Sequence, residues 1–276
     1  MPCLTDGWVP FSGRMNPNFF FGDSMFRRLA LSLVIPVTLV AQEKKPEKTT
    51  AFTADLGFVN ASGNTSVTTL NLGEKFVANT ADKRVIFSQL FGAVSSKADG
   101  ITNAENYRAQ VRLDYQLSGR LYAFGLTGWD KNTPGGVKRR FEETIGLAYK
   151  AVTMPNDELG LELGLSKFQQ RNLVKAAGSF DDNFTAGRAA ALYKHTFSKA
   201  SFFTQALDLI PNFDNSTDFR LNSESAFIAP ISTNIGLKLG YVIRYDNFPG
   251  LKATSTTGER LKKTDRFLTA GVTASY

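Results

Sequence analysis

The sequence predicts an all-β fold: a transmembrane, up-and-down antiparallel β-barrel of about 12 strands. Three observations predict it. The first is alternation. From Asn106 to Ser118, Tyr107, Ala109, Val111, Leu113, Tyr115 and Leu117 fall on one side of an extended chain, and Arg108, Gln110, Arg112, Asp114 and Gln116 on the other. Side chains of a strand repeat every two residues, so this segment has one apolar and one charged face. The second is length. The candidate strands run ten residues or more, whereas strands of soluble proteins average about five or six and a tilted bilayer-crossing strand needs roughly 9–11. The third is the rhythm of the connections, which alternate tight and loose, as short turns and longer loops do at the two ends of a membrane barrel.

Taken in order, the strands are expected near 51–60, 64–78, 83–96, 104–117, 120–131, 139–151, 157–168, 183–197, 200–212, 217–229, 233–247 and 263–276. The seventh sets Leu159, Leu161, Leu163 and Leu165 against Gly160, Glu162, Gly164 and Ser166. The eleventh sets Ile235, Leu237, Leu239, Tyr241, Ile243 and Tyr245 against Asn234, Gly236, Lys238, Gly240 and Arg244. The twelfth alternates Leu268, Ala270, Val272, Ala274 and Tyr276 with polar or small residues, though Phe267 is an exception. The third and ninth are mixed. Ser118-Gly119, Ser198-Lys199 and Pro230-Ile231-Ser232 are the tight turns. Lys97–Asn103, Lys131–Lys138, Gln169–Asp182 and Phe248–Lys262 are the expected loose links, and Ala61-Ser62-Gly63 is a short exception among them.

Alternation alone does not separate a membrane barrel from a soluble cup, whose apolar face would be its core. Soluble cups usually have eight strands, fewer than are counted here. Aromatic placement also favours the membrane. Tyr107 and Tyr115 lie eight positions apart, which at about 3.3 Å per residue and a strong tilt spans roughly 20 Å, close to the apolar band between two aromatic girdles. Tyr107, Tyr115, Tyr241, Tyr245 and Tyr276 are the girdle candidates.

The N-terminal region carries an export signal. Met25-Phe26-Arg27-Arg28 precedes the apolar run Leu29–Ala41 and the polar stretch QEKKPEKTT. That is a basic, then apolar, then small-residue leader, too short and too interrupted by Pro36 for a spanning helix. The expected organisation is a misassigned extension over 1–24, a signal peptide over 25–41, a flexible periplasmic segment over 42–50 and the barrel over 51–276. The single cysteine, Cys3, falls in the extension, so the mature chain is expected to form no disulfide. The formal charge of +7 points to nucleic acid, anionic membrane surfaces or anionic solutes as partners. No basic stripe interleaved with aromatics and no nucleic-acid-binding signature accompanies it, so nucleic acid is not expected.

Two stretches carry a family resemblance: DLGFVNASGNTSVTTLNLG (Asp55–Gly73) and the close of the chain, LKLGYVIRYDNFPG with KKTDRFLTAGVTASY. They resemble the family of salt-induced outer-membrane proteins, domain of unknown function 481, over about 51–276. The resemblance implies a Gram-negative-type outer-membrane barrel and no assigned activity. A final aromatic, here Tyr276, is also common in bacterial outer-membrane barrels, whose insertion machinery reads the last strand.

Candidate chemistry is sparse. His195 is the only histidine, and Ser198 and Ser201 lie near it in sequence. A lipid hydrolase would need a spatial triad, and a lone strand-end histidine is more often an interface residue. Asp181-Asp182 beside Asn183 has oxygen ligands for a hard cation, but also the composition of an ordinary solvated loop. No phosphate-cradling glycine motif and no metal-ligand spacing occur. No catalytic residue, metal or cofactor is therefore expected. The informative set is the charged face: Arg108, Arg112, Asp114, Glu142, Glu162, Arg220, Lys238 and Arg244 are expected to line the lumen. An open lumen would make a narrow, anion-leaning channel for ions or small solutes. Charges that pair across it, centred on Asp114 and Glu162, would make a closed envelope protein. The expected partners are outer-membrane lipids and lipopolysaccharide, the barrel-insertion machinery and small anionic solutes.

Overall fold

The computed structural model describes residues 49–61, 67–98, 101–133, 135–176, 178–198, 201–252 and 258–275. The extension, the leader, the Ser62–Thr65 turn and Tyr276 lie outside them. The strands are β1 (Thr50–Ala61), β2 (Val67–Asn79), β3 (Val85–Ala98), β4 (Ile101–Gln116), β5 (Leu121–Asn132), β6 (Val137–Thr153), β7 (Asp157–Ala176), β8 (Ser179–Thr196), β9 (Phe202–Pro211), β10 (Phe219–Pro230), β11 (Ile235–Asp246) and β12 (Thr264–Ser275). Each pairs antiparallel with its sequence neighbours, and β1 closes on β12. This is the predicted 12-stranded up-and-down barrel. Closure pairs backbone polar groups around the ring, the condition for a β-structure to sit in hydrocarbon.

The exterior is apolar. Ile145, Leu163 and Leu268 are 69%, 70% and 72% exposed, and Leu56, Leu113, Leu147, Leu165, Leu237 and Leu239 are also exposed. So much exposed aliphatic surface needs lipid around it. The chain therefore crosses a membrane as a barrel.

Both ends of the barrel chain lie at one rim, where Thr53 pairs with Ser275. The turns at that rim are short. Three of them share one device, in which two successive N–H groups donate to a single carbonyl. Leu117 and Ser118 donate to Leu121 at 2.9 and 3.1 Å, Phe197 and Ser198 to Ser201 at 2.9 and 3.2 Å, and Ile231 and Ser232 to Ile235 at 2.9 Å each. An apolar residue followed by serine recurs at the start of each turn. The turn between β2 and β3 is held by Asp82, which accepts from the Thr80 hydroxyl at 2.5 Å and the Arg84 N–H at 3.1 Å. Those two donors hold its carboxyl below its ordinary range.

At the opposite rim two expected loose links are instead paired strand. β7 runs on to Ala176 and β8 begins at Ser179, with Gln169↔Asn183, Gln170↔Asp182 and Arg171↔Asp181 in register. β3 and β4 likewise extend to Ala98 and Ile101. These segments are largely polar, with only scattered apolar residues such as Leu173 and Phe180, because they stand above the apolar belt. Polarity that reads as loop in the sequence is there compatible with a ladder. The longest connection, 247–263, folds back as a small hairpin with Leu251 bridged to Arg260. Leu261 of this hairpin lies near Gly136 of the β5–β6 loop, so the hairpin crosses part of the mouth.

Candidate functional site

Register assigns every strand residue to the inner or outer wall. Following it around the ring places Arg108, Arg112, Asp114, Glu142, Glu162, Arg220, Lys238 and Arg244 on the inner wall. A central group of them meets in one buried cluster. Arg112 grips Asp114 with two parallel hydrogen bonds, Nε to Oδ2 at 2.8 Å and Nη2 to Oδ1 at 2.5 Å. Its Nη1 donates to Oε2 of Glu162 at 3.1 Å, reaching from β4 over β5 and β6 to β7. Arg188 of β8 donates to the same Glu162 oxygen at 2.9 Å, and its Nε lies 2.9 Å from Asp208 of β9. Arg112, Asp114, Glu162 and Arg188 are between 1% and 4% exposed. Charges so deeply desolvated keep their places only when paired and hydrogen-bonded, as these are.

Phe124 of β5 forms the floor of the cluster. Its ring centroid lies 4.1 Å from the Arg112 guanidinium carbon and 6.0 Å from that of Arg188, placing both cations against the π system. Gly146 and Gly164 make room for the ring. A Cβ at Gly146 would stand 2.7 Å from the Phe124 ring, and one at Gly164 3.5 Å. Apolar layers sit on either side of the charges. Val77, Ile86, Tyr122 and Ala148 pack with Phe124 toward the short-turn rim, and Leu126 joins them at the level of Arg112. Phe168, Phe184, Ala186 and Ile210 pack toward the other, with the Phe168 and Phe184 rings stacked at 4.8 Å.

Of the remaining lumen candidates, Arg108 and Glu142 lie within electrostatic reach of Asp208 and Arg188, and the others stand farther along the wall. Arg108 donates to Gln110 at 2.6 Å. Glu142 accepts from Thr144 at 2.9 Å. Lys238 pairs with Asp55 at 2.7 Å, across β12. Arg220 is buried near the long-loop rim, 3.4 Å from Asp246 and 4.9 Å above the Phe184 ring. Arg244 lies opposite Asn222 in the β10–β11 ladder. Beside Arg220, burial raises the carboxyl of Asp218 above its ordinary value, although Asn212 donates to it at 2.8 Å.

Sequence reasoning missed Arg188, Asp208, Asp130 and Asp246, all on the inner wall. The inner wall is mixed in charge. Among the described residues Arg112, Arg188, Arg220 and Lys238 face carboxylates, while Arg108 meets Gln110 and Lys150 the Tyr122 hydroxyl.

Tyr115 projects outward near the short-turn end of β4 and Tyr107 from mid-strand, where Lys131 lies 5.7 Å from its ring. Tyr245 projects outward near the long-loop rim beside Phe219, at 5.5 Å. Tyr241 projects outward from mid-strand, between Leu239 and Ile243. His195 also faces outward. Its Nδ1 lies 2.8 Å from Asp157, which accepts from the Tyr193 hydroxyl at 2.6 Å, and its ring meets Phe197 at 4.6 Å. Ser198 accepts the Ser201 N–H at 3.2 Å. Asp181 and Asp182 are strand neighbours pointing to opposite walls, so they do not converge on one cation. Among the described residues no group of three or more histidines, cysteines or carboxylates is arranged to hold a metal.

The family profile described as protein of unknown function, DUF481, matches residues 54–276. The chain belongs to the DUF481 family. A DUF481 relative of similar span is the uncharacterized protein YdiY of Escherichia coli K12. It is 25% identical over 211 residues, covering 74% of this chain and 77% of YdiY. Among solved structures, the DUF481 barrel is similar to the NanC porin, at 7% identity, with 81% of this chain and 98% of that one covered and a TM-score of 0.47. It is also similar to the translocator domain of the autotransporter NalP from Neisseria meningitidis, at 11% identity, 84% and 90% coverage and a TM-score of 0.48. At that distance the likeness is one of barrel shape.

Proposed function

We propose that this DUF481 protein is an outer-membrane barrel whose lumen is closed across its middle, serving the envelope as a non-conducting structural element. The observation that carries this reading is the buried bridge Arg112–Glu162–Arg188–Asp208 over Phe124, which joins β4 to β9 through the interior. A water-filled passage would leave such side chains exposed, whereas Arg112, Glu162 and Arg188 are at most 4% exposed and only Asp208, at the end of the bridge, is partly accessible. The apolar outer belt and the shared rim of the two barrel ends support an outer-membrane location, with lipids and lipopolysaccharide around the barrel and the insertion machinery acting on β12. His195, tied to Asp157 and Phe197 on the outer wall, serves as an interfacial anchor in this reading.

A second reading, a narrow passage for ions or small solutes, is favoured by the opposite wall. There Gly73 pairs with Gly92, and Asp55, Asn71, Lys75 and Arg244 of the inner wall are only half-buried. Planar-bilayer recording separates the two. The folded wild type is expected to give no steady conductance, and the double variant Arg112→Ala/Phe124→Ala, which empties the bridge, is expected to conduct. Steady wild-type currents would replace the closed reading with the channel. Their anion-to-cation permeability ratio would then report the sign of the passage.

A further inference from the structure

On the long-loop side of the outward aromatic pair Trp129–Phe141, the outer wall carries a row of cations. The ladder slips there on both sides of β6. Asp130 faces Arg140 and Asn132 faces Val137, so Lys131 of β5 stands against both Lys138 and Arg139. Arg140 faces Gln170 and Val137 faces Asn172, which leaves Arg171 of β7 opposite the same two residues. Such a bulge sets two residues against one. Lys138 and Arg139 are exposed, whereas Val137 before them is buried and Arg140 after them belongs to the inner wall. The Leu173 N–H donates to the Gly136 carbonyl at 2.8 Å and holds the turn beside the bulge. One carboxylate stands at each end of the row: Glu105 pairs with Lys131, and Asp181 lies 3.8 Å from Arg171. Among the described residues Lys138 and Arg139, in the middle, enter no ion pair. Like charges directly opposite one another across a ladder repel, and an anion set among them offsets that cost. Nearer mid-barrel than the aromatics, Glu143 and Lys167 oppose and complement each other. Beyond that pair the wall opens into an apolar groove of about 590 Å³, because β5 turns its small residues outward. A Cβ added at Gly125 would find no atom within 4 Å, and Val111, Leu113, Ile145 and Leu165 stand around that gap. Several cations outside the aromatics, with an apolar groove inside them, match an amphiphile that carries phosphate at its head and hydrocarbon below.

We propose that this row is a binding site for one phosphorylated, multiply acylated glucosamine lipid of the lipid A type. A phosphate monoester meets Lys138, Arg139 and Arg171, whose guanidinium forks suit its oxygens. An acyl chain descends past Trp129 and Phe141 into the groove over Gly125. The phosphate end lies toward the long-loop rim, the lipopolysaccharide side of the barrel. The site rests on the outer-membrane reading above, and it is independent of whether the lumen conducts.

Native mass spectrometry of the full chain, stripped of lipid in detergent and titrated with bisphosphorylated lipid A, fully dephosphorylated lipid A or phosphatidylglycerol, tests it. The wild type is expected to retain one bisphosphorylated lipid A at a concentration about tenfold below that needed for either of the others, since charge-assisted bonds to a phosphate monoester are the strong ones. Arg139→Gln/Arg171→Gln is expected to erase that preference. Arg84→Gln/Arg120→Gln, which removes two arginines at the short-turn rim, is expected to keep it. Gly125→Leu, which fills the groove, is expected to weaken retention of both lipid A forms. Equal retention of all three lipids, equal retention of the two lipid A forms, or unchanged retention in Arg139→Gln/Arg171→Gln or in Gly125→Leu would overturn the site. Heat-dependent gel migration of each sample reports the barrel separately. A wild type with no cold-stable folded band would overturn the barrel reading, and the site with it.

Discussion

Glu162→Ala is expected to destabilise the barrel by about 3–5 kcal/mol, because it leaves two buried guanidinium groups without the carboxylate they share. Arg112 would keep Asp114 and Arg188 would keep Asp208, but the link between the two pairs would be gone. Glu162→Gln should cost less, since the amide oxygen still accepts from both arginines while the charge is lost. The triple replacement Arg112→Leu/Glu162→Leu/Arg188→Met is expected to recover part of the loss, since removing a whole buried charge set is gentler than orphaning its members. The urea midpoint for loss of the folded, cold-detergent-resistant band measures all three. A Glu162→Ala barrel as stable as wild type would mean that the cluster is solvated and the interior wet.

The second large effect lies on the other wall. Leu163 projects outward from the middle of β7 between Leu161 and Leu165 and is among the most exposed apolar residues. Leu163→Arg is expected to cost roughly 2–4 kcal/mol of folding free energy in a bilayer, the penalty for a cation at the midplane of a barrel's lipid face. In a soluble cup with the opposite polarity, Leu163 would be core, and Leu163→Ala would then be the damaging change. Equilibrium folding into phospholipid vesicles compares the two variants. The membrane barrel predicts that Leu163→Arg is much the worse, with Leu163→Ala mild.

How much of this the sequence disclosed depends on what each wall touches. β4 and β11 were legible because their outward residues meet lipid and many of their inward ones are polar, so period two is also a polarity switch. β3 was not. Ile86, Leu90 and Val94 face a packed interior while Phe87 and Phe91 face lipid, so both walls are apolar and the alternation disappears. β5 is inverted. Tyr122, Phe124 and Leu126 point inward and Ala123, Gly125 and Thr127 outward, which reverses the rule that greasy means lipid-facing. That inversion creates both the floor of the charge cluster and the external groove. Arg112, Asp114 and Glu162 could be named from alternation in β4 and β7. Arg188 could not, because Gly187 and the alanines at 189–191 give β8 no polarity contrast, although a lone arginine among small residues was a usable signal. Asp208 was hidden in the same way by the mixed pattern of β9. The extension of β7 and β8 past Gln169 was illegible because above the belt no apolar face is required.

The central claim is that lipid surrounds the barrel and a dry, packed core fills its middle. Trp129 projects outward from β5, and Trp8 is the only other tryptophan. The most direct measurement is tryptophan fluorescence in vesicles of brominated phospholipid. It compares Trp8→Phe, which reports from position 129, with Trp8→Phe/Trp129→Phe/Phe168→Trp, which reports from the inner wall. The bromolipid is expected to quench the first strongly and the second little, with water-borne iodide reaching the second no better. Strong lipid quenching from position 168, or none from position 129, would contradict the account.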